Sequence, residues 1–125
     1  MTPSEIDALP AGRELDAMVA TFVMGCKVIV DGGKPYCDCD DRGHFTRDAN
    51  DVYADLPCYS TDIAAAWQVV EKLKGAAVEW FFHIDIPKPS VTDEWRAIFT
   101  PATRYSWAKT APLAICRAAL VAVTA

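Results

Sequence analysis

Long apolar runs and the common catalytic signatures are missing from this chain of 125 residues. Apolar stretches such as Ala64–Trp67 and Pro112–Cys116 break at polar or charged residues, far short of the roughly 20 positions a membrane helix needs. No basic segment followed by an apolar run opens the sequence, which leads us to expect a cytoplasmic protein. There is no P-loop, dinucleotide-binding glycine pattern, serine elbow or HExxH helix, so the familiar cofactor and hydrolase classes are not indicated. Basic charge is also scarce: the net charge of -5 argues against a protein whose main business is gripping a nucleic-acid backbone. What remains is ordinary globular material, 52% hydrophobic and 23% charged, enough for one domain with a single modest core.

Periodicity places the elements. After a Pro- and Gly-containing lead-in at Met1–Gly12, Leu15, Met18, Val19, Phe22 and Val23 recur at helical spacing, with Glu14 and Asp16 in the first turn and Gly25 as a stop. Lys27–Val30 reads as a short strand ended by Asp31-Gly32-Gly33. Ser60 or Thr61 can cap a second helix with a stripe of Ile63, Ala66, Trp67, Val70 and Leu73, closed by Gly75. Val78–Ile86 alternates with period two, its even positions apolar and its odd positions mixed. Trp95–Phe99 reads as a strand and Arg104–Ala108 as its return. From Thr110 to about Ala122 runs a helix whose only charge is Arg117, apolar enough to be buried on most sides. The expected fold is α+β, a layered domain with a small antiparallel or mixed sheet of three to four strands covered by helices.

The charge imbalance is local. Eight aspartates lie between Asp31 and Asp62 against Lys34, Arg42 and Arg47, while the rest of the chain holds nine acids and nine bases. Turn residues punctuate this segment, which we read as a variable loop at about 31–58 within a single domain. Four of five cysteines, Cys26, Cys37, Cys39 and Cys58, lie in or beside it. Thiolates and imidazole suit zinc, so Cys37, Cys39, His44 and Cys58 form a candidate metal set. The one-residue gap between Cys37 and Cys39 departs from the usual spacing of two to four. The alternatives are small buried residues at Cys26 and Cys58 with loop thiols between them, or a redox pair. Cys116, among apolar neighbours, is core.

Other chemistry is sparse. His44 can approach the loop thiols, and His83 shares the mixed strand face with Asp85, an arrangement that orients an imidazole or lines a solvated edge. Asp38, Asp40 and Asp41 lack the calcium-loop pattern. Lys88, Arg96, Arg104 and Lys109, with Tyr105 and Trp107, offer a modest basic aromatic patch that would serve stacking on nucleic acid or, equally, a protein partner.

Three stretches carry a resemblance: Ala11–Ala20 running on to Val23-Met24-Gly25, Tyr59–Trp67 with Val69–Leu73, and Ala114–Leu120. Together they resemble the small phage and prophage proteins of the phage ABA sandwich domain family, over almost the whole chain. The resemblance implies a layered α/β/α sandwich, a sheet between helical layers, and an origin in a phage genome or integrated prophage; it implies no catalytic residue and carries nothing onto the cysteines. The reading that follows is an accessory protein acting as a small protein-interaction domain on a phage or host protein, with no cofactor, no membrane and no nucleic acid, and with room for a homo-oligomer. The alternatives are a zinc-stabilised binding module and a small thiol-dependent or hydrolytic enzyme.

Overall fold

The computed structural model describes residues 2–31, 34–37, 54–75, 81–87, 93–100 and 102–124. The lead-in is more ordered than its prolines suggest. Thr2 accepts a hydrogen bond from the Glu5 amide at 3.2 Å and Pro3 sits at the first turn, where no donor is lost, so a short helix α1 forms over Pro3–Asp7 and buries Ile6. Helix α2 (Arg13–Phe22) ends as expected near Gly25, whose φ of 72° is a left-handed conformation that a side chain would resist; the Cys26 amide then donates to the Ala20 carbonyl at 2.8 Å.

Strand β1 (Val28–Asp31) pairs antiparallel with β2 (Lys34–Cys37), Asp31 opposite Lys34, and β2 pairs with the two-residue β3 (Ala54–Asp55). The acidic segment read as a loop therefore carries a strand at each end, and its residues 38–53 lie outside the described residues. Pro35 is tolerated in β2 because it faces Val30 beyond the reach of β3, where the strand is in effect an edge.

Helix α3 (Ile63–Lys74) is capped by Asp62, which accepts from the Ala64 amide at 3.1 Å, and not by Ser60 or Thr61. Ser60 is engaged elsewhere. Its amide and hydroxyl both donate to Oδ1 of Asp16, at 2.8 and 2.7 Å, and its oxygen accepts from the Gly12 amide at 3.0 Å. Asp16 is buried, and its Oδ2 takes a 3.0 Å bond from Arg13, whose guanidinium also donates to the Leu56 carbonyl. Asp16 is thus no solvated helix-dipole residue: it clasps the start of α2 to the turn before α3.

A second sheet has the order β4-β5-β6, with β4 at Phe81–Asp85, β5 at Trp95–Thr100 and β6 at Ser106–Ala108, all antiparallel. Of the strand expected at Val78–Ile86, residues 78–80 lie outside the described residues. Helix α4 (Ala111–Thr124) begins at Thr110, whose hydroxyl accepts from the Leu113 amide. It packs on β5, β6, α3, α2 and α1. The fold is α+β, with helices packed on a three-stranded antiparallel sheet.

The inner sheet face carries Ala97, Phe99 and Ala108, fully buried, with Phe82, Ile84 and Trp95 packed against the same core. Phe82 stacks on Phe99 with ring centroids 4.7 Å apart and receives the edge of Trp67 at 6.0 Å. Two expected stripes are rotated. In α3 the buried residues are Ala65, Ala66, Val69, Val70 and Leu73, leaving Ile63 52% and Trp67 46% exposed; in α2, Ala20 turns inward and Phe22 is exposed. Small side chains win these positions because they let helices approach closely, and α4, which packs on both helices, likewise buries Ala114, Ala118 and Ala119.

The clasp is testable. Asp16→Ala strands the buried Ser60 donors and frees Arg13, and is expected to lower unfolding stability by about 3 kcal/mol in urea denaturation. Glu14→Ala, two residues earlier in the same helix and exposed, is expected to change it by less than about 0.5 kcal/mol.

Candidate interaction surface on the outer sheet face

Alternation along the strands sends a second set of side chains to the face opposite the core. In register, Asp85 of β4 lies opposite Arg96 of β5, and Arg96 lies opposite Trp107 of β6. The residues meet as the register requires. Arg96 donates from Nε to Asp85 Oδ1 at 2.7 Å and from Nη2 to Oδ2 at 3.2 Å, a side-on bidentate pair. Its guanidinium lies 4.5 Å from the Tyr105 ring centroid and 6.0 Å from that of Trp107. His83 joins from the same face of β4, with Nε2 3.4 Å from Asp85 Oδ2 and its ring edge-on to Tyr105 at 6.2 Å. Ile98, opposite His83, is buried on this face although it stands apart from the main core.

The electrostatics follow from these contacts. Hydrogen bonding to Arg96, aided by His83, holds the Asp85 carboxyl below its ordinary value, and Asp85 in turn raises Arg96. His83 is largely exposed, and the carboxylate beside it is held more closely by Arg96. The cluster is built to hold a guanidinium still between aromatic rings. Trp107 remains 40% exposed at its edge.

Two groups of residues that the sequence offered separately, His83 with Asp85 and Arg96 with Tyr105 and Trp107, are one constellation. Of the other bases of the basic patch, Arg104 pairs with Asp7 of α1 at 2.6 Å, Lys109 is exposed, and Lys88 lies outside the described residues.

Of the candidate zinc set, Cys39 and His44 lie outside the described residues. Cys37 ends β2, opposite Val28 and Ala54. Cys58 is exposed, its Sγ 3.2 Å from Nη1 of Arg13. Cys26 and Cys116 are buried, and burial, with a smaller contribution from the charge of Asp16, pushes the Cys116 thiol up and keeps it protonated. Among the described residues no group of three or more His, Cys, Asp or Glu is placed to hold a metal ion, and no helix is long and apolar enough to cross a membrane. A separate apolar hollow of about 270 Å³ opens between α1, α2 and α4, lined by Ile6, Met18, Phe22, Leu120 and Thr124.

The model of the phage ABA sandwich domain matches residues 17–120. The chain belongs to the phage ABA sandwich domain family. A phage protein from Bacillus cereus ATCC 14579, known from a 2.0 Å crystal structure, superposes with a TM-score of 0.63 at 23% identity, over 93% of this chain and 94% of that one. At that identity the likeness is one of fold. No curated protein matches. For this family member, the match takes in residues 17–22 of α2, both sheets, α3 and residues 111–120 of α4, so the outer-face cluster sits within the matched region.

The ion pair has a pH signature. Asp85 is expected to titrate below 3.8, its ordinary value. Its folded value is depressed, so whatever the pair adds to stability is complete above that ordinary value and is lost as pH falls through the lowered one. Carboxyl NMR titration checks this, and Arg96→Gln is expected to move the Asp85 midpoint upward.

Proposed function

We propose that this phage protein is a small accessory domain that works by binding a protein partner of phage or host in the bacterial cytoplasm, through the outer face of the β4-β5-β6 sheet. The observation that carries this reading is the Asp85–Arg96–Tyr105–Trp107 cluster. Trp, Tyr and Arg are the side chains that dominate binding energy at protein interfaces, and here they are held in place before any partner arrives, which lowers the entropy lost on docking. The same residues add little to the core, since the sheet is already packed from its inner face.

The test compares capture by the intact chain and by two folded variants in cells carrying the phage. Trp107→Ala is expected to reduce recovery of a specific partner at least about tenfold, the loss of one interfacial aromatic anchor, whereas Phe22→Ala, at the hollow between α1, α2 and α4, leaves it unchanged. Equal capture by all three would remove the outer face from the proposal.

A second reading, a zinc-stabilised binding module using Cys37, Cys39, His44 and Cys58, draws support from the pairing of Cys37 with Ala54, four residues before Cys58. Zinc would have to displace Arg13 from Cys58, since a guanidinium 3.2 Å from the sulfur opposes a cation there. Metal analysis after purification decides it. Bound zinc that is lost in Cys37→Ser and Cys58→Ser supports the module; metal-free protein, with thermal stability the same in both variants, ends it.

A further inference from the structure

The arginine at the centre of the outer face is only partly used. A guanidinium has five N–H donors. Asp85 takes one from Nε and one from Nη2, along the side edge of the group. Among the described residues no acceptor takes the donors of the opposite, end-on edge, formed by Nη1 and the second N–H of Nη2. That edge is held in one orientation by the bidentate pair and by the Tyr105 ring 4.5 Å away. The side chain is 29% exposed, so solvent reaches it without surrounding it.

A fixed, half-desolvated pair of parallel N–H donors matches a planar oxyanion, and the match is bidentate. We propose that the end-on edge of Arg96 receives a carboxylate from the partner, an Asp or Glu side chain flanked by apolar residues that lie against Trp107. This rests on the outer-face reading above and names the partner's chemistry. Trp107, opposite Arg96 and 40% exposed, supplies the apolar wall beside the fork. Phosphate along a nucleic-acid backbone fits less well. Such a ligand needs a run of cations, and here Arg104 is paired with Asp7 while the chain as a whole carries -5. A single buried-edge carboxylate needs only the one fork. Long-range repulsion from the net charge slows its approach but is screened within about 8 Å at physiological salt, whereas the fork acts at contact.

The test uses the whole chain, labelled with 15N, and follows the Arg96 Nε–H and Trp107 indole N–H resonances. The probes are the peptides Ac-Leu-Glu-Leu-NH2 and Ac-Leu-Gln-Leu-NH2 at millimolar concentration, and octathymidylate. The Glu peptide is expected to shift both resonances saturably and to bind about tenfold more tightly than its Gln isostere, the margin a charge-assisted bidentate bond supplies. Arg96→Lys, which keeps the charge and loses the fork, is expected to erase most of that margin. The comparison of the two peptides on the unaltered chain stands whether or not the variant folds. Equal binding of the Glu and Gln peptides overturns the carboxylate and leaves the face as a peptide site. Absence of any shift overturns it too, as does octathymidylate binding more tightly than the Glu peptide. Failure of the outer face itself would appear separately, as partner capture that ignores Trp107→Ala.

Discussion

Helix α4 cannot face water, and the architecture follows from that constraint. Of its 14 residues, eight are buried, spread around the helix and not along one stripe. A surface helix hides one side; this one must be hidden nearly all round. The chain meets the demand by laying α4 against the inner face of β5 and β6 and closing over it with α3, α2 and α1. The one charge on the helix is turned to the same end. Arg117 donates to the carbonyl of Leu9, through Nε and Nη2 at 3.2 and 2.8 Å, and to the carbonyl of Trp107 at 2.6 Å. A cation that would have been costly to bury instead ties the α1–α2 linker and the last strand to the helix that joins them.

Burial of α4 accounts for the outer face as well. The helices are drawn to one side of the β4-β5-β6 sheet by the apolar side chains there, and Asp85, Arg96 and Trp107 fall on the other by alternation alone. A central strand with both neighbours antiparallel then places one residue of each strand in a row across the sheet. The cluster is therefore a consequence of register. Two short connections set it, and a slip of one residue would send Arg96 into the core and Phe99 into solvent.

Much of this was legible from the residues. The period-two pattern around Phe82 and Ile84, the strand at Trp95, the return ending at Ala108 and the helix from Thr110 each rest on local signals that tertiary structure had no reason to overrule. The errors share one cause. Ranking faces by the size of their apolar side chains puts Trp67 and Phe22 inward, whereas the packing sites are set by how closely helices can approach, which favours Ala65 and Ala20. In the sequence Asp16 is just a first-turn acid, because its partner Ser60 is 44 positions away and no local pattern encodes that distance. The same non-local blindness split the outer-face cluster in two. Odd spacing puts His83 with Asp85, and alternation puts Tyr105 with Trp107, but only pairing across two turns brings Arg96 between them. The signal that would have joined them is the hairpin sum: 85 with 96 and 96 with 107 are equally spaced pairs about the intervening connections.

The division of labour between the two sheet faces bears on how such a domain can serve a phage. Core residues here are coupled: Phe99 touches Phe82, Phe82 touches Trp67, and α4 contacts every other helix, so a change at one is felt by several. Among the described residues, Asp85, Arg96, Tyr105 and Trp107 contact one another across the outer face. A 23%-identical phage protein keeps the fold over nearly its full length, as expected if the inner face and α4 only require apolar residues of about the right volume. A scaffold that keeps its fold through so much sequence change leaves room for unrelated chemistry on its surface. In this chain the guanidinium held by Asp85 beside Tyr105 and Trp107 lies on the sheet face turned away from α4.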